Sequence, residues 1–465
     1  MPIRANPDER ALEALRRHGV TSARELGQAL GVSQPSISRA LTALREQVVR
    51  VGRARRTRYA ATRDVRGLGS CWPLYRIDER GQPRAFGQLT ALHPAGCLVI
   101  TRLSPDWLRG EFADGLFPGL PWFLDDLRPQ GFLGRQFAHR HARELALPED
   151  LSHWNEDAVI TALLLRGDDG PGNFVLGETA LERALRAEPE RMAAATRGER
   201  YARMAEAALA GEEVGSSAAG EQPKFTACVD GADGACRHVI VKFSEPVDGN
   251  PSARRWADLL LCEYLAGQLL AEVRHPVAHA ELVWSHGRLC LESTRFDRVG
   301  SHGRRGFLTL AALNDAHDGV RDDWPAAAER MERAGWLQAG ALDQVRQRWW
   351  FGRMIGNTDM HFGNLGFFLD DALPLQLAPC YDMLPMLYRP GAGGALATRE
   401  LQPPPPTPAA LPYWQQAAAW ADQYWKLVAD HPEISDDFRH IAEANRTRLT
   451  ALRQRFDNPR LASIP

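Results

Sequence analysis

The segment IGNTDMHFGNLGFFL, at residues 355–369, has the residue types and spacing of a phosphoryl-transfer site. Asp359 and Asn364 stand five residues apart, just before an apolar stretch that predicts a β-strand. In kinases such an aspartate orients a hydroxyl and accepts its proton, and the asparagine binds Mg²⁺. The metal ions need a second carboxylate, and Asp382 in LAPCYDMLP follows where that acid is expected. The Asp-x4-Asn spacing alone also fits an ordinary helix-to-strand turn. The prediction therefore depends on the combination of this spacing with the strand that follows and with Asp382.

Lysine is rare in this chain, and two lysines lie in motifs. Only Lys224, Lys242 and Lys426 occur among 56 basic residues. A lysine in such an arginine-rich chain indicates a site that needs a compact ammonium rather than a forked guanidinium. Lys242 ends the predicted strand VIVKF, and a strand lysine followed by a helix holds the α- and β-phosphates of ATP in kinases. Upstream, VGSSAAGEQPKFT places Gly220 and Lys224 in a small-residue loop whose backbone N–H groups could cradle phosphates.

Two further side chains are candidates for the same site. Glu263, in LLLCEYLAG on the helix predicted after Lys242, is a possible partner for that lysine, or else a surface residue. His361 could contact a phosphate or order the loop around Asp359.

Composition limits the class of protein in which these motifs can lie. The chain has 465 residues, 56 basic and 58 acidic, and a net charge of −2, which excludes a histone-like protein and an acidic disordered chain. Its length predicts two to four domains. Neither an apolar stretch of signal type at the N-terminus nor a membrane-length apolar run is present, so we expect a cytoplasmic protein without membrane contact.

The seven cysteines are scattered and contain no C-x-x-C pair. This pattern suggests neither a disulfide framework nor a zinc site. We therefore expect reduced cysteines in the core.

Residues 1–66 differ from the rest in charge and in pattern. They hold 14 arginines and six acidic residues, a net charge of +8 that leaves the remainder acidic. A basic module on an acidic body indicates a polyanionic partner, although an arginine-rich surface can also be an ordinary solvated face. ALEALRRHG, SARELGQALG and a segment capped by Ser33 predict three helices, and VVRVGRARRTRYAA predicts a β-hairpin.

This pattern resembles a winged helix-turn-helix module, with the third helix as recognition helix and the hairpin as wing. One such helix reads only a few base pairs of double-stranded DNA, so specific binding implies a homodimer on paired half-sites. Use of the same fold as a protein-interaction scaffold is the alternative. The candidate DNA contacts are Gln34, Ser36, Ser38, Arg39 and Thr42 on the helix and Arg53, Arg55, Arg56 and Arg58 in the wing.

Several motifs together resemble the HipA family of bacterial serine/threonine kinases, the toxins of type II toxin–antitoxin systems. The matching segments, between about residues 70 and 440, are GQLTAL, FLDDLRPQG, SAAGEQPKFT, VIVKF, LESTRFDR, IGNTDMHFGN and CYDM. With its N-terminal module the chain is similar to the YjjJ-type branch, in which the DNA-binding element is built into the kinase chain.

The resemblance implies a multidomain protein with an α+β, protein-kinase-like, two-lobed fold and an N-terminal winged helix-turn-helix. The implied domains are the DNA-binding module at 1–66, a HipA-type N-terminal subdomain at 67–205, a kinase N-lobe at 206–300 and a helical C-lobe at 301–465.

The resemblance also implies ATP and Mg²⁺ as cofactors and assigns roles to individual residues. Asp359 would be the catalytic base, Asn364 and Asp382 the Mg²⁺ ligands, and Lys242 the ATP-phosphate lysine. Lys224 and Gly220 would contribute to phosphate binding, Ser217 would be the autophosphorylated residue, and the backbone of Leu291–Thr294 would be the adenine hinge.

By the same resemblance the substrate is a cytosolic protein such as an aminoacyl-tRNA synthetase, and an antitoxin is a further partner. One departure bears on activity: the family often has a lysine immediately before the metal-binding asparagine, and here that residue is Gly363. Either another cation, such as Arg353, replaces it, or turnover is slow. A transcription regulator with a nucleotide-sensing kinase-like domain and a small-molecule kinase are the alternative functions.

Overall fold

The computed structural model of the chain describes residues 6–52, 56–210, 222–231, 234–391 and 393–456. The predicted site residues Arg53, Arg55, Ser217 and Gly220 lie outside them. Within the described ranges, no helix combines the length and the apolar character that a bilayer crossing requires.

The N-terminal region forms three helices and a two-stranded antiparallel hairpin, as the sequence pattern predicts. Ser22 and Glu25 form a reciprocal capping box at the start of the second helix, and Gly31 ends that helix in the left-handed conformation. Ser33 stands at the start of the third helix, but its hydroxyl lies 3.0 Å from that of Ser36 and makes no side-chain cap. The elements are α1 Pro7–His18, α2 Ala23–Leu30, α3 Gln34–Ala43, β1 Val48–Val51 and β2 Arg58–Ala61.

This hairpin packs against the rest of the protein. Val51 and Ala60 share a buried apolar cluster with Leu92 and Leu98. Ion pairs from Arg58 to Asp114 and from Arg63 to Asp157 also connect the N-terminal region to the following part of the chain. The N-terminal region is therefore held on the body by both apolar and ionic contacts.

The middle region is an antiparallel sheet with the strand order β6-β5-β4-β3-β7 and three helices. An aromatic core that includes Phe86, Trp107, Phe123 and Phe174 fills it. Its elements are β3 Cys71–Ile77, β4 Pro83–Ala91, β5 Cys97–Thr101, β6 Leu116–Phe117, α4 Gly131–Leu145, α5 Glu156–Arg166, β7 Phe174–Leu176 and α6 Glu178–Arg186.

A second five-stranded sheet, here called the central sheet, has the order β11-β12-β10-β9-β8. The long helix α8 packs on this sheet, and twelve of its residues are buried. Although β8 and most of α7 belong to the predicted 67–205 subdomain, they pack with the central sheet. The elements are β8 Arg191–Met192, α7 Arg197–Leu209, β9 Lys224–Asp230, β10 Cys236–Phe243, α8 Pro251–Glu272, β11 Ala280–Ser285 and β12 Arg288–Thr294.

One expectation about the cysteines is wrong. Cys228 on β9 and Cys236 on β10 are joined by a disulfide. The hairpin register places Cys228 opposite His238, so Cys236 is only two residues from direct pairing, a proximity that their spacing in the sequence does not show. Cys97, Cys262, Cys290 and Cys380 are buried thiols, as expected, and Cys71 is an exposed thiol.

The C-terminal region is mainly helical and carries a small antiparallel sheet of β15, β16 and β17. Helices α11, α12 and α13 pack side by side around buried aromatic residues such as Trp414 and Trp425. Its elements are β13 Arg298–Val299, β14 Gly303–Arg304, β15 Phe307–Thr309, α9 Leu310–His317, α10 Trp324–Arg333, α11 Ala341–Ile355, β16 Gly366–Phe368, β17 Gln376–Leu377, α12 Leu411–Asp430 and α13 Asp436–Phe456. The chain is thus a mixed α/β, multidomain protein.

Candidate active site

A buried lysine and two carboxylates meet between the central sheet and the C-terminal region. The Nζ of Lys242, on β10, lies 2.5 Å from Oε1 of Glu263 and 2.5 Å from Oδ1 of Asp382. Lys242 is only 6% exposed. Glu263 comes from α8, whose start is fixed by the Asn250 side-chain cap and Pro251. The structure therefore brings together three residues that lie in separate predicted motifs.

The charges in this cluster shift each other's titration. Burial by itself would lower the pKa of Lys242, but the facing carboxylates of Asp382 and Glu263 outweigh it and raise that pKa. Burial raises the pKa of Glu263. Burial also acts to raise the pKa of Asp382, yet the ammonium groups of Lys242 and Lys224 hold it below its usual value. With both carboxylates ionised, the three contacting groups leave one negative charge, which favours binding of a cation.

Lys224 begins β9 directly opposite Lys242 in the hairpin register. It is partly buried, and its charge acts on both Glu263 and Asp382. The two lysines of the predicted phosphate-binding motifs therefore stand on neighbouring strands at one end of the sheet.

The loop after α11 holds Asp359 and Asn364 together. Helix α11 ends at Gly356, which has a φ of 75°, and the following residue, Asn357, is 4% exposed. The Oδ1 of Asn357 accepts a hydrogen bond of 3.0 Å from the N–H of Asp359. Asn364 donates one of 2.7 Å to the carbonyl oxygen of Asp359, so a network of short polar contacts fixes the backbone on both sides of that aspartate.

Asn357, two residues before Asp359, is a further residue of the site that none of the sequence motifs identifies. Its Nδ2 donates a hydrogen bond of 3.2 Å to the backbone carbonyl of Asp382. Asp382 has a φ of 54°, a left-handed conformation that non-glycine residues adopt only when their surroundings enforce it. The detectable signal was an amide side chain directly after the helix-ending glycine in IGNTD.

His361 lies in this loop and is exposed. Its Nδ1 accepts a 3.0 Å hydrogen bond from the N–H of Gly363, and its carbonyl accepts one of 3.0 Å from Nε1 of Trp324. Tyr381, next to Asp382, donates from its hydroxyl to the Gly363 carbonyl at 2.8 Å. These contacts favour the loop-ordering role for His361 over direct phosphate contact.

The same geometry gives a physical account of Gly363. A Cβ at this position would lie 2.8 Å from Cε1 of His361, so any larger residue would displace the imidazole. Arg353, the predicted substitute cation, lies in the last turn of α11 with its guanidinium over the ring of Trp349. Among the described residues it makes no ion pair with Asp359 or Asp382.

The adenine-hinge prediction for Leu291–Thr294 is wrong for most of that segment. Leu291, Glu292 and Ser293 each have a partner on β10 and another on β11. The two neighbouring strands take up the backbone N–H and C=O groups that an adenine would need. An adenine-binding backbone would have to begin beyond the end of β12.

The donor set at the site fits Mg²⁺ and ATP. Mg²⁺ prefers carboxylate, amide and water oxygens, and Asp382 and Asn364 supply the first two types. Lys242 and Lys224 supply ammonium groups for phosphate oxygens.

The candidate DNA contacts separate into two groups. Gln34, Ser38, Arg39 and Thr42 are exposed on α3, opposite the buried Ile37, and Ser36 is partly exposed. In the hairpin, Arg56 is exposed, whereas Arg58 forms an ion pair with Asp114. Arg58 therefore already has an ionic partner on the middle region, and its contact with DNA stays a prediction.

Comparisons with known proteins agree along most of the chain. Residues 68–185 match the family model of the YjjJ-like toxin middle domain, and residues 216–448 match that of the HipA-like C-terminal domain. The chain is 38% identical over 427 residues to Toxin YjjJ of Escherichia coli strain K12, an alignment that covers 91% of this chain and 94% of the relative.

Two solved structures align with parts of the chain. A chain of the Shewanella oneidensis MR-1 complex of HipA, HipB and operator DNA aligns with a TM-score of 0.52 and 16% identity, covering 85% of this chain and 100% of that one. The Helicobacter pylori proinflammatory kinase CtkA aligns with a TM-score of 0.34 and 12% identity, over 52% of this chain and 93% of that one.

Proposed function

Because the chain belongs to the family of YjjJ-like toxins with a HipA-like C-terminal domain, we propose that it is an ATP- and Mg²⁺-dependent serine/threonine protein kinase. The observation that carries the proposal is the contact of Lys242 with both Glu263 and Asp382, beside the loop of Asp359 and Asn364. A lysine–glutamate ion pair and a metal-binding aspartate are the two features that an active kinase needs in place.

Each residue has a distinct part in the proposed reaction. Asp359 orients the hydroxyl of the protein substrate and accepts its proton, while Asn357 holds the Asp359 backbone. Lys242 binds phosphate oxygens of ATP, and Glu263 keeps the ammonium in position. Asp382 and Asn364 would hold Mg²⁺, which neutralises charge on the transferred phosphoryl group.

The proposed substrate is a cytosolic protein such as an aminoacyl-tRNA synthetase. Incubation of the purified chain with labelled ATP and a cell lysate, followed by phosphoamino-acid analysis of labelled proteins, tests both substrate class and specificity. Phosphoserine or phosphothreonine on a protein supports the proposal. Label in small molecules alone would instead identify a small-molecule kinase.

We also propose that the loop containing Ser217 regulates the enzyme. Phosphorylation adds a charge of about −2, which would repel ATP phosphates in a loop meant to bind them. Phosphopeptide mapping of a demonstrably active preparation should find Ser217 modified, with the neighbouring Ser216 as the other acceptor. Modification of neither serine would contradict this self-inactivation.

DNA binding through residues 1–66 is a further part of the proposal. It rests on the net charge of +8 in this segment and on the exposed polar face of α3. The similar Shewanella structure contains HipA together with HipB and operator DNA. Here the chain itself would contact the operator, as a homodimer, and a separate antitoxin would be a further partner.

A nucleotide-sensing transcription regulator is the second candidate function. Gly363 favours it, because no side-chain cation stands at the position where the family often has a lysine. Such a regulator would bind ATP without transferring phosphate under any substrate condition.

A further inference from the structure

A cavity of about 410 Å³ lies outside the lysine–carboxylate cluster, between the middle region and the central sheet. Its walls come from Asp168 and Asp169, from the end of α6 and residues 187–190, from β8, α7, β9 and β10, and from residues 295–304. Neither Lys242 nor Asp359 lines it. The proposed kinase reaction therefore gives this cavity no role.

Three buried arginines line the cavity, and two of them are paired. Arg295 lies 2.9 Å from Asp169 and 3.1 Å from Asp297. Arg298 lies 2.8 Å from Asp169 and 2.7 Å from Asp297. Two carboxylates thus balance two guanidinium groups, and within the described ranges the third guanidinium, of Arg304, has no carboxylate partner.

Arg304 is 7% exposed, and its polar groups are incompletely satisfied. One terminal nitrogen donates to the carbonyl oxygen of Asp168. The other, Nη1, is buried without a hydrogen-bond partner among the described residues, and no ion pair to Arg304 occurs there. Burial, followed by repulsion from Arg298, lowers the Arg304 pKa to about 9. A buried cation left unpaired in this way is costly, and an anion in the cavity would remove the cost.

We infer that this cavity binds a small phosphate ester whose phosphate oxygens accept hydrogen bonds from Arg304. A guanidinium fork matches phosphate geometry, and the negative charge of a phosphate offsets the one positive charge that the two carboxylates leave. Met192, Met204 and Ala184 supply an apolar wall, so the ligand carries an apolar group beside its phosphate. This inference goes beyond the proposed function and is independent of phosphoryl transfer at Asp359.

Phenyl phosphate is a suitable probe, because it joins a phosphate to a compact apolar ring. We expect it to raise the thermal unfolding midpoint of the full chain at constant ionic strength, through ligand linkage. Arg304→Gln should weaken its binding at least tenfold and leave the ligand-free midpoint unchanged or higher, since an unpaired buried cation is removed. Arg305→Gln is the matched control, because Arg305 forms an exposed ion pair with Glu79.

A second variant tests the inference even if Arg304→Gln does not fold. Thr226 is exposed on β9 at the cavity wall, so Thr226→Glu adds a carboxylate there without disturbing the core. It should weaken phenyl phosphate binding by like-charge repulsion. Asp359→Asn should bind the probe as the wild type does, whether or not the chain is a kinase.

Three results would overturn the inference. They are equal binding by wild type and Arg304→Gln, the absence of any phenyl phosphate effect on the wild type, and tighter binding of benzoate than of phenyl phosphate. The last result would assign the cavity to carboxylates.

Discussion

The side-chain amide of Asn357 donates a hydrogen bond of 3.2 Å to the backbone carbonyl of Asp382. Because the same side chain also accepts from the Asp359 N–H, one buried residue ties the proposed base to the proposed metal ligand. Neither aspartate can shift without straining that link.

Asn357→Ala should lower kcat by a larger factor than it raises KM for ATP. Loss of the link would misplace Asp359 and Asp382, and a displacement near 1 Å costs about 100-fold in rate. Steady-state kinetics with a phosphorylatable protein, together with circular dichroism of the folded variant, measures this. An unchanged kcat would show that the link does not position the aspartates.

Lys242→Arg should remove most of the ATP affinity or rate, although the charge is kept. The ammonium fills a buried space between Glu263 and Asp382, where a planar guanidinium would have to displace one carboxylate. Lys426→Arg, at an exposed position on α12, is the control and should be silent. If the two substitutions change the ATP affinity measured by titration equally, lysine rarity does not mark a site that needs a compact ammonium.

Asp126 joins the FLDDLRPQG segment to the start of α9 and should make stability depend on pH. It accepts hydrogen bonds from the N–H and the hydroxyl of Thr309, yet burial raises its pKa to about 6. A carboxyl group whose pKa is raised in the folded state stabilises the fold below its unfolded pKa, and that stability is lost as pH rises through about 6.

Asp126→Asn should therefore gain stability relative to wild type between pH 4 and pH 7, by up to about 3 kcal/mol. Denaturant unfolding of both proteins across this range measures the difference. Asp125→Asn, whose side chain is 43% exposed, is the control and should show a much smaller change. A pH-independent difference for Asp126→Asn would contradict the raised pKa.

DNA binding should be tested with the full chain, because the hairpin packs on the middle region. Arg39→Ala should reduce sequence preference by about 1–3 kcal/mol, if Arg39 contacts a base.

Arg56→Ala should weaken all duplexes alike and lower the salt slope by about one. Arg58→Ala should change the slope less, since Arg58 pairs with Asp114. The measurement is the affinity for promoter and random duplexes over a series of salt concentrations. Absence of salt-dependent binding to either duplex would indicate a protein-interaction module instead.

Structural features that depend only on neighbouring residues could be predicted from the sequence. Helices α1 and α2 end at Gly19 and Gly31, and the spacing of Asp359 and Asn364 is itself a local signal. Such signals do not depend on how distant segments pack.

Features that depend on long-range packing could not be predicted. Asn357 acts through Asp382, 25 residues away, and Asp126 through Thr309, 183 residues away. The Cys228–Cys236 disulfide depends on hairpin register, and the unpaired state of Arg304 depends on two carboxylates already taken by other arginines. Each requires knowledge of which elements meet in space.

The most direct test of the central claim compares phosphate transfer with ATP binding in Asp359→Asn. Wild type and the control Asp248→Asn, at an exposed position, should transfer labelled phosphate from ATP to protein when Mg²⁺ is present. Asp359→Asn should lose transfer by orders of magnitude yet bind ATP normally, because positioning of the hydroxyl is lost and the lysine cluster is intact. Equal transfer by Asp359→Asn and wild type, or ATP binding by wild type without any transfer, would contradict the assignment of this chain as a kinase.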